Sequence, residues 1–340
     1  MKFVYLIFLF FSFSRITGAA PLVDLTDSQT GRIEFVSTTP EQVWAMVRGN
    51  QARIKPTVVW GDLAIPNTGT KKVPAVIISH GSDGVNNNTA IQGWAKALND
   101  AGIAVFVVDT YSPRGADRLT PEGRLNQNLA AHISDALHAL KLLATHPQID
   151  RDKIFHLGAS TGGTTVMGAA FPAYMRTVVS APTKWAGSIA LYPGCNTRWR
   201  VEQLGTNPAP LMLMLGAKDD MTPAQVCVDF AKSLKAGGHD VSYKVYEDAH
   251  HVFDRLNQPY QQFKEGNFAK CNLEVVIDRQ SIDGFSQGGY DFVQQKKITN
   301  ATDLAASLKD CQRMSFITVR SNSKAREEVM QDVLVFIQNN

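Results

Sequence analysis

The segment Gly158-Ala159-Ser160-Thr161-Gly162-Gly163 sets a serine among residues with almost no side chain. It follows the apolar run Ile154-Phe155-His156-Leu157 and precedes Thr164 to Ala170, a stretch compatible with a helix. A G-x-S-x-G pattern between a strand and a helix makes a tight turn that lifts the serine hydroxyl above a sheet. The hydroxyl then attacks an acyl carbon, and the helix N-terminus faces the negative charge that develops on the carbonyl oxygen.

A serine alcohol is a poor nucleophile until a base takes its proton. Eight histidines are candidates. His132 and His138 fall in a helical pattern and His146 at its end, which predicts surface positions. His156 lies in a strand and His239 in a Gly-rich turn, which predicts structural roles. His250 and His251 follow the apolar run at 241–245, in Tyr246-Glu247-Asp248-Ala249-His250-His251-Val252-Phe253. A carboxylate must hold the imidazole in the right tautomer. Asp219 and Asp220 stand after the run Leu211–Leu215, at the carboxyl end of a strand, where open α/β sheets collect their ligands. The order Ser…Asp…His fits this arrangement. Either aspartate and either histidine meets these conditions. The second acid would serve in the first turn of the next helix, where the dipole favours it.

An oxyanion needs two backbone N–H donors. One belongs to Thr161, the residue after the serine; the other comes from the loop Ser79-His80-Gly81-Ser82-Asp83-Gly84. Ser82 is the expected donor and Gly81 the alternative. His80 is either a substrate contact or a hydrogen-bonded brace of that loop.

These residues need a frame. Continuous apolar runs at 75–78, 103–108, 154–157, 188–191 and 211–215 predict central strands of a parallel sheet, buried on both faces. Val241 to Val245 predicts a last, more alternating strand. Leu129, Ile133, Leu137, Leu140 and Leu143 fall on one helical face. Residues 89–100 and 223–235 read alike, and Thr222-Pro223 starts the second. Val329, Val333, Phe336 and Ile337 form the stripe of a final helix. Alternating strand and helix predicts a doubly wound, mostly parallel α/β domain. Residues 254–322 break the rhythm: they are polar, with weak strand signals at Leu273–Ile277 and Ser315–Val319. That is too long for a plain loop, so an insertion before the last helix is expected, on the sheet edge or over a site.

With 340 residues, 44% of them apolar and 19% charged, the chain has a globular balance. Its length allows about two domains of roughly 150 residues. The formal net charge of +3 gives no support to a nucleic-acid-binding face. Lys2, the apolar stretch Phe3 to Phe13 and the ending Thr17-Gly18-Ala19-Ala20 have the order of a secretory leader. Pro21 disfavours cutting after Ala20, so the cut is expected after Ala19, giving a leader of 1–19 and a single domain at 20–340. The alternative is an uncleaved anchor. Cleavage removes Lys2 and Arg15 and brings the charge nearer neutral. No later stretch is long enough to span a membrane.

Five segments together resemble the dienelactone hydrolase family of the α/β-hydrolase superfamily. They are His80–Gly84, Val108-Asp109-Thr110-Tyr111-Ser112-Pro113-Arg114-Gly115, Gly158–Gly163, Asp219-Asp220-Met221-Thr222-Pro223 and Tyr246–Phe253. The acid in that family looks like G-x-x-D-x-x-x-P, matching Gly216, Asp219 and Pro223. The base looks like A-x-H-x-F, matching Ala249, His251 and Phe253. The resemblance therefore selects Asp219 and His251. It also implies that Asp109–Arg114 lies above the site, where Arg114 either binds a substrate carboxylate or pairs with a local acid. Two departures stand out. The namesake enzymes are cytoplasmic and use cysteine, whereas this chain has Ser160 and a leader, and the insertion is absent from the smallest members.

The resemblance implies an α/β-hydrolase fold and a serine hydrolase acting on a small ester or lactone, with no cofactor, metal or nucleic acid. The alternatives are a peptidase or other acyl hydrolase on the same residues, or a binding protein that keeps the fold without turnover. The leader implies export, to the periplasm or the medium. The four cysteines fit that compartment. Cys195 and Cys227 follow neighbouring strands and are a candidate bridge; Cys271 and Cys311 fall in the insertion and would close it.

Overall fold

Aliphatic residues buried on two faces build the central sheet. The computed structural model describes residues 20–69, 71–86, 88–116, 128–201, 209–277 and 288–340; the expected leader 1–19 lies outside the described residues. The chain opens with β1 (Gly31–Pro40), α1 (Val43–Arg48) and β2 (Ile54–Ala64), then runs through β3 (Val73–Ser79), α2 (Thr89–Asp100) and β4 (Ala104–Asp109). Next come α3 (Leu129–Leu143), β5 (Ile149–Ala159), α4 (Thr161–Ala170), α5 (Pro172–Met175), β6 (Gly187–Leu191) and β7 (Thr197–Val201). β8 (Leu211–Gly216), α6 (Ala224–Ala236) and β9 (Val241–Tyr246) complete the sheet.

The strand order is β1-β2-β4-β3-β5-β6-β8-β9. β1 and β2 join antiparallel, as do β2 and β4. From β4 onward every pair is parallel. β3 shows how the two cores arise: Ala75 and Ile77 join one apolar cluster with Leu137 and Leu140, whereas Val76 and Ile78 join another with Trp94 and Leu98. Alternate side chains point to opposite faces, so a strand between helix layers must be apolar throughout. The chain winds from β3 out to β4, then crosses back to β5 on the other side of β3. That reversal opens a crevice at the carboxyl ends of β3 and β5, where doubly wound sheets bind ligands.

The segment after β9 is folded, not a plain loop. It contains β10 (Gln261–Asn267), β11 (Leu273–Ile277), β12 (Gly289–Asp291), β13 (Lys296–Ile298), α7 (Ala301–Cys311) and β14 (Arg313–Val319), before the terminal α8 (Ser323–Asn339). β10 pairs with β14, and β11 pairs with β7 outside the segment. Leu273, Val275, Ile298 and Leu304 form its own small core with Cys271 and Cys311. Those two cysteines are disulfide-bonded, as are Cys195 and Cys227. The predicted strand at 273–277 is present, and the one at 315–319 begins earlier, at Arg313. β10 carries no clear periodic signal in the sequence, whereas α7 has Leu304, Leu308 and Cys311 at helical spacing.

Candidate active site

Ser160 stands between β5 and α4 with φ 56° and ψ −118°. A non-glycine residue at positive φ is strained and persists only where its surroundings hold it. Here the Ser160 N–H donates to Leu191 O of β6 at 3.0 Å. The flanking glycines are required by backbone approach. A Cβ at Gly162 would overlap Ser79 O and stand 2.8 Å from His80 O, and one at Gly158 would overlap Gly162 O. The first turn of α4 therefore presses directly on the end of β3.

Two further loops converge on the serine hydroxyl. His251 Nε2 lies 3.0 Å from Ser160 Oγ, and His251 Nδ1 lies 2.8 Å from Asp219 Oδ2. An ionised carboxylate only accepts, so Nδ1 carries the proton and Nε2 is left to accept from the serine. Both residues are buried. Asp219 is itself fixed: Oδ1 accepts from Met221 N at 2.9 Å and Thr222 N at 2.8 Å, and Oδ2 accepts from Thr222 Oγ1 at 2.9 Å. The Asp219 loop, which would carry the acid, and the His251 loop, which would carry the base, are joined by Lys218 N to Ala249 O at 2.9 Å. The neighbours point elsewhere. His250 packs against Tyr260. Asp220 accepts from Thr318 N at 2.8 Å and Thr318 Oγ1 at 2.7 Å, tying β14 to the acid loop. β14 also bridges to the base loop at His251 and Val319.

The other predicted residues divide. Ser82 lines the same cavity as Ser160, and a Cβ at Gly81 would stand 3.7 Å from Ser160 Cβ. Thr161 opens α4, so its N–H belongs to the first turn, which lacks intrahelical acceptors. His80 is buried, with Nδ1 donating to Gly81 O at 2.7 Å and Nε2 accepting from Thr110 N at 3.1 Å. Both ring nitrogens are engaged, so His80 braces the loop and offers a substrate nothing. Burial holds its pKa below the usual histidine value, in keeping with a neutral ring. Arg114 is spent in the same way. Nε donates to Thr39 Oγ1, Nη1 to Thr110 O and Asp135 Oδ2, and Nη2 to Thr38 O and Asp135 Oδ1. All five guanidinium donors are used. The surface placement predicted for the α3 histidines also needs correction. His132 is buried against His80 and Tyr111, because the loop after β4 covers that side of the helix, and His146 is buried beside Ser28 and Gln29, which precede β1.

A cavity of about 490 Å³ opens over Ser160 and His251. The inserted segment supplies part of its wall, with Gln258, Gln261, Phe263 and Lys264. Among the lining residues that no motif singled out are Tyr192 and Arg255, the latter paired with Asp83.

A parallel sheet with an antiparallel start, a strained serine after β5 and loops converging after β8 and β9 define an α/β-hydrolase fold. The sequence profile of the Dienelactone hydrolase family matches residues 60–273, and the chain belongs to that family. It is therefore a hydrolase. Among similar solved structures is esterase 2 of Thermogutta terrifontis phosphorylated by paraoxon: 17% identical, covering 59% of this chain and 81% of that one, TM-score 0.44. A putative dienelactone hydrolase from Klebsiella pneumoniae is 18% identical, covering 58% of this chain and 83% of that one, TM-score 0.44. No curated protein matches the chain.

Proposed function

We propose that the chain hydrolyses a carboxylic ester or lactone through an acyl-enzyme. The observation that carries this is the run of hydrogen bonds from Ser160 Oγ through His251 to Asp219, open to the cavity at its serine end. As Ser160 Oγ attacks the acyl carbon, its proton passes to His251 Nε2, and Asp219 stabilises the imidazolium. The N–H groups of Thr161 and Ser82 receive the oxyanion, a donor worth about 2.7–4 kcal/mol each in such sites. The imidazolium then protonates the leaving alcohol. Water, deprotonated by the same Nε2, releases the acid and restores the serine.

The location proposed is outside the cytoplasm, after loss of residues 1–19. The two disulfides support it, since such bonds persist in oxidising compartments. No helix among the described residues is long and apolar enough to cross a membrane. The test is hydrolysis of a short-chain nitrophenyl ester together with labelling by a fluorophosphonate. Ser160→Ala is expected to abolish the label and lower kcat by about four to six orders of magnitude. Folded wild-type protein that neither turns over nor labels refutes the proposal and favours a binding protein on the same fold.

A further inference from the structure

The proton relay leaves one buried carboxylate beside it unused. Asp254, three residues after His251, is 1% exposed. Its Oδ1 accepts from Tyr192 Oη at 2.5 Å and its Oδ2 from Trp94 Nε1 at 2.8 Å. Tyr192 is also buried, and its ring stands edge-on to the His251 ring, centroids 4.8 Å apart. The tyrosine backbone is held at φ 34°, and its carbonyl lies 3.1 Å from Thr222 Oγ1. Thr222 is the residue that also holds Asp219. A carboxylate in a core costs far more than an apolar side chain of the same size unless its charge or its acceptors are needed. Here both oxygens accept, and one of the two donors is the phenol that stands against the His251 ring.

We propose that Asp254 is a positioning residue for His251: through Tyr192 it fixes the tilt of the imidazole, and its charge favours the imidazolium formed during attack. This rests on His251 acting as the base. Other ionisable groups around the ring are Asp219 from the loop after β8 and Tyr192 from the loop after β6; Arg255 and its partner Asp83 line the same cavity. The cation of Arg255 is matched by Asp83, so Asp254 adds a second negative charge to that of Asp219. Burial pushes the Asp254 carboxyl above the usual range, while the bonds from Tyr192 and Trp94 and the nearby His251 pull it back. The phenol bond is thus part of what keeps the charge in place.

The sign follows from the charge. Without the anion the imidazolium is less favoured, so the ring loses its proton at lower pH and attack becomes slower. Asp254→Asn is expected to lower kcat by about tenfold, with KM changed little, as expected for a misplaced reacting group. The acid limb of kcat/KM, measured over about pH 5–9 where histidine titrates, should move down by about half a unit or more. Tyr192→Phe keeps the ring against His251 but removes the phenol bond, so the limb should move the same way. An NMR titration of the His251 ring in both variants, assigned by loss of its signal in His251→Gln, reads the same shift without substrate. Failure of ester turnover in wild type would sink the functional proposal and still leave the titration to decide this one. Folded variants with wild-type kcat, acid limb and His251 titration overturn the proposal and reduce Asp254 to an anchor. Loss of kcat with an unmoved titration overturns its electrostatic half. Should Asp254→Asn fail to fold, Tyr192→Phe decides on the same measurements.

Discussion

Replacing Gly162 by alanine tests whether backbone contact between α4 and β3 sets the serine. In an ordinary helix this change stabilises by about 0.5–1 kcal/mol, because alanine has the better propensity. Here the opposite is expected. The new Cβ would stand 2.8 Å from His80 O, whereas ordinary contact begins at 3.4 Å, so that oxygen alone demands a retreat of about 0.6 Å. Ser79 O is closer still, and both obstacles are backbone. β3 cannot yield cheaply, since Ser79 pairs with Gly158 in the parallel ladder and its Oγ bonds His156 Nε2 at 2.8 Å. Displacement therefore falls on the start of α4 and on Ser160, next to the 3.0 Å bond with His251. Overpacking of this kind costs about 1–3 kcal/mol, and a misplacement approaching 1 Å costs about a hundredfold in rate. Urea unfolding gives the first quantity, and kcat/KM with the rate of fluorophosphonate labelling gives the second. Gly194→Ala is the control, since its Cβ would meet only Thr164 Oγ1, at 3.3 Å. Gly162→Ala protein as stable and active as the control would refute the claim that this contact sets the serine.

Arg114→Met strands the buried Asp135 without its cation, so stability should fall by about 3–5 kcal/mol while kcat/KM per folded molecule stays within about twofold of wild type. A raised KM at unchanged stability would instead return Arg114 to the substrate. Acid should destabilise the protein through its buried histidines. Burial lowers the pKa values of His80, His132 and His138, and that of His156 to about 3. Their contribution is therefore present above an unfolded value near 6.5 and is lost as pH falls below it, because only the unfolded chain takes up the protons. Each such histidine contributes a slope of about 1.4 kcal/mol per pH unit. Denaturant midpoints measured at falling pH should drop accordingly, and a flat profile below pH 6.5 would contradict the neutral, buried assignment.

What the sequence reveals follows from how local the controlling contacts are. β3 to β6 and β8 are legible because a strand covered on both faces must be apolar at every position, and that needs no knowledge of its partners. β1 and β2 are not, because their burial alternates. Trp60 faces Glu34 and Val58 faces Val36 near solvent, so half of each strand looks like any polar segment. α3 misleads for the opposite reason. Its leucine stripe is genuine, but His132 is also buried, against His80 and Tyr111, and so are Ser134 and Asp135, against Arg114 and the Ser37–Thr38 end of β1. A periodicity argument expects polar side chains on the outside. It has no means of knowing that a distant strand returns to bond them.

The adjacent acids Asp219 and Asp220 show the same limit at the site itself. Each stands after β8 at the place where a carboxylate is wanted, and local reasoning offers the spare one a place in the first turn of α6. The structure gives it a long-range partner instead. Asp219 holds His251, while Asp220 holds Thr318 of β14, and β14 lies against the base loop through His251 and Val319. One turn thus fixes both the imidazole and a strand of the inserted segment whose residues wall the cavity. A change in that segment acts on the histidine through backbone bonds as well as on the shape of the cavity. The long polar stretch before the last helix, with only weak strand signals in the sequence, therefore belongs to the machinery that positions His251.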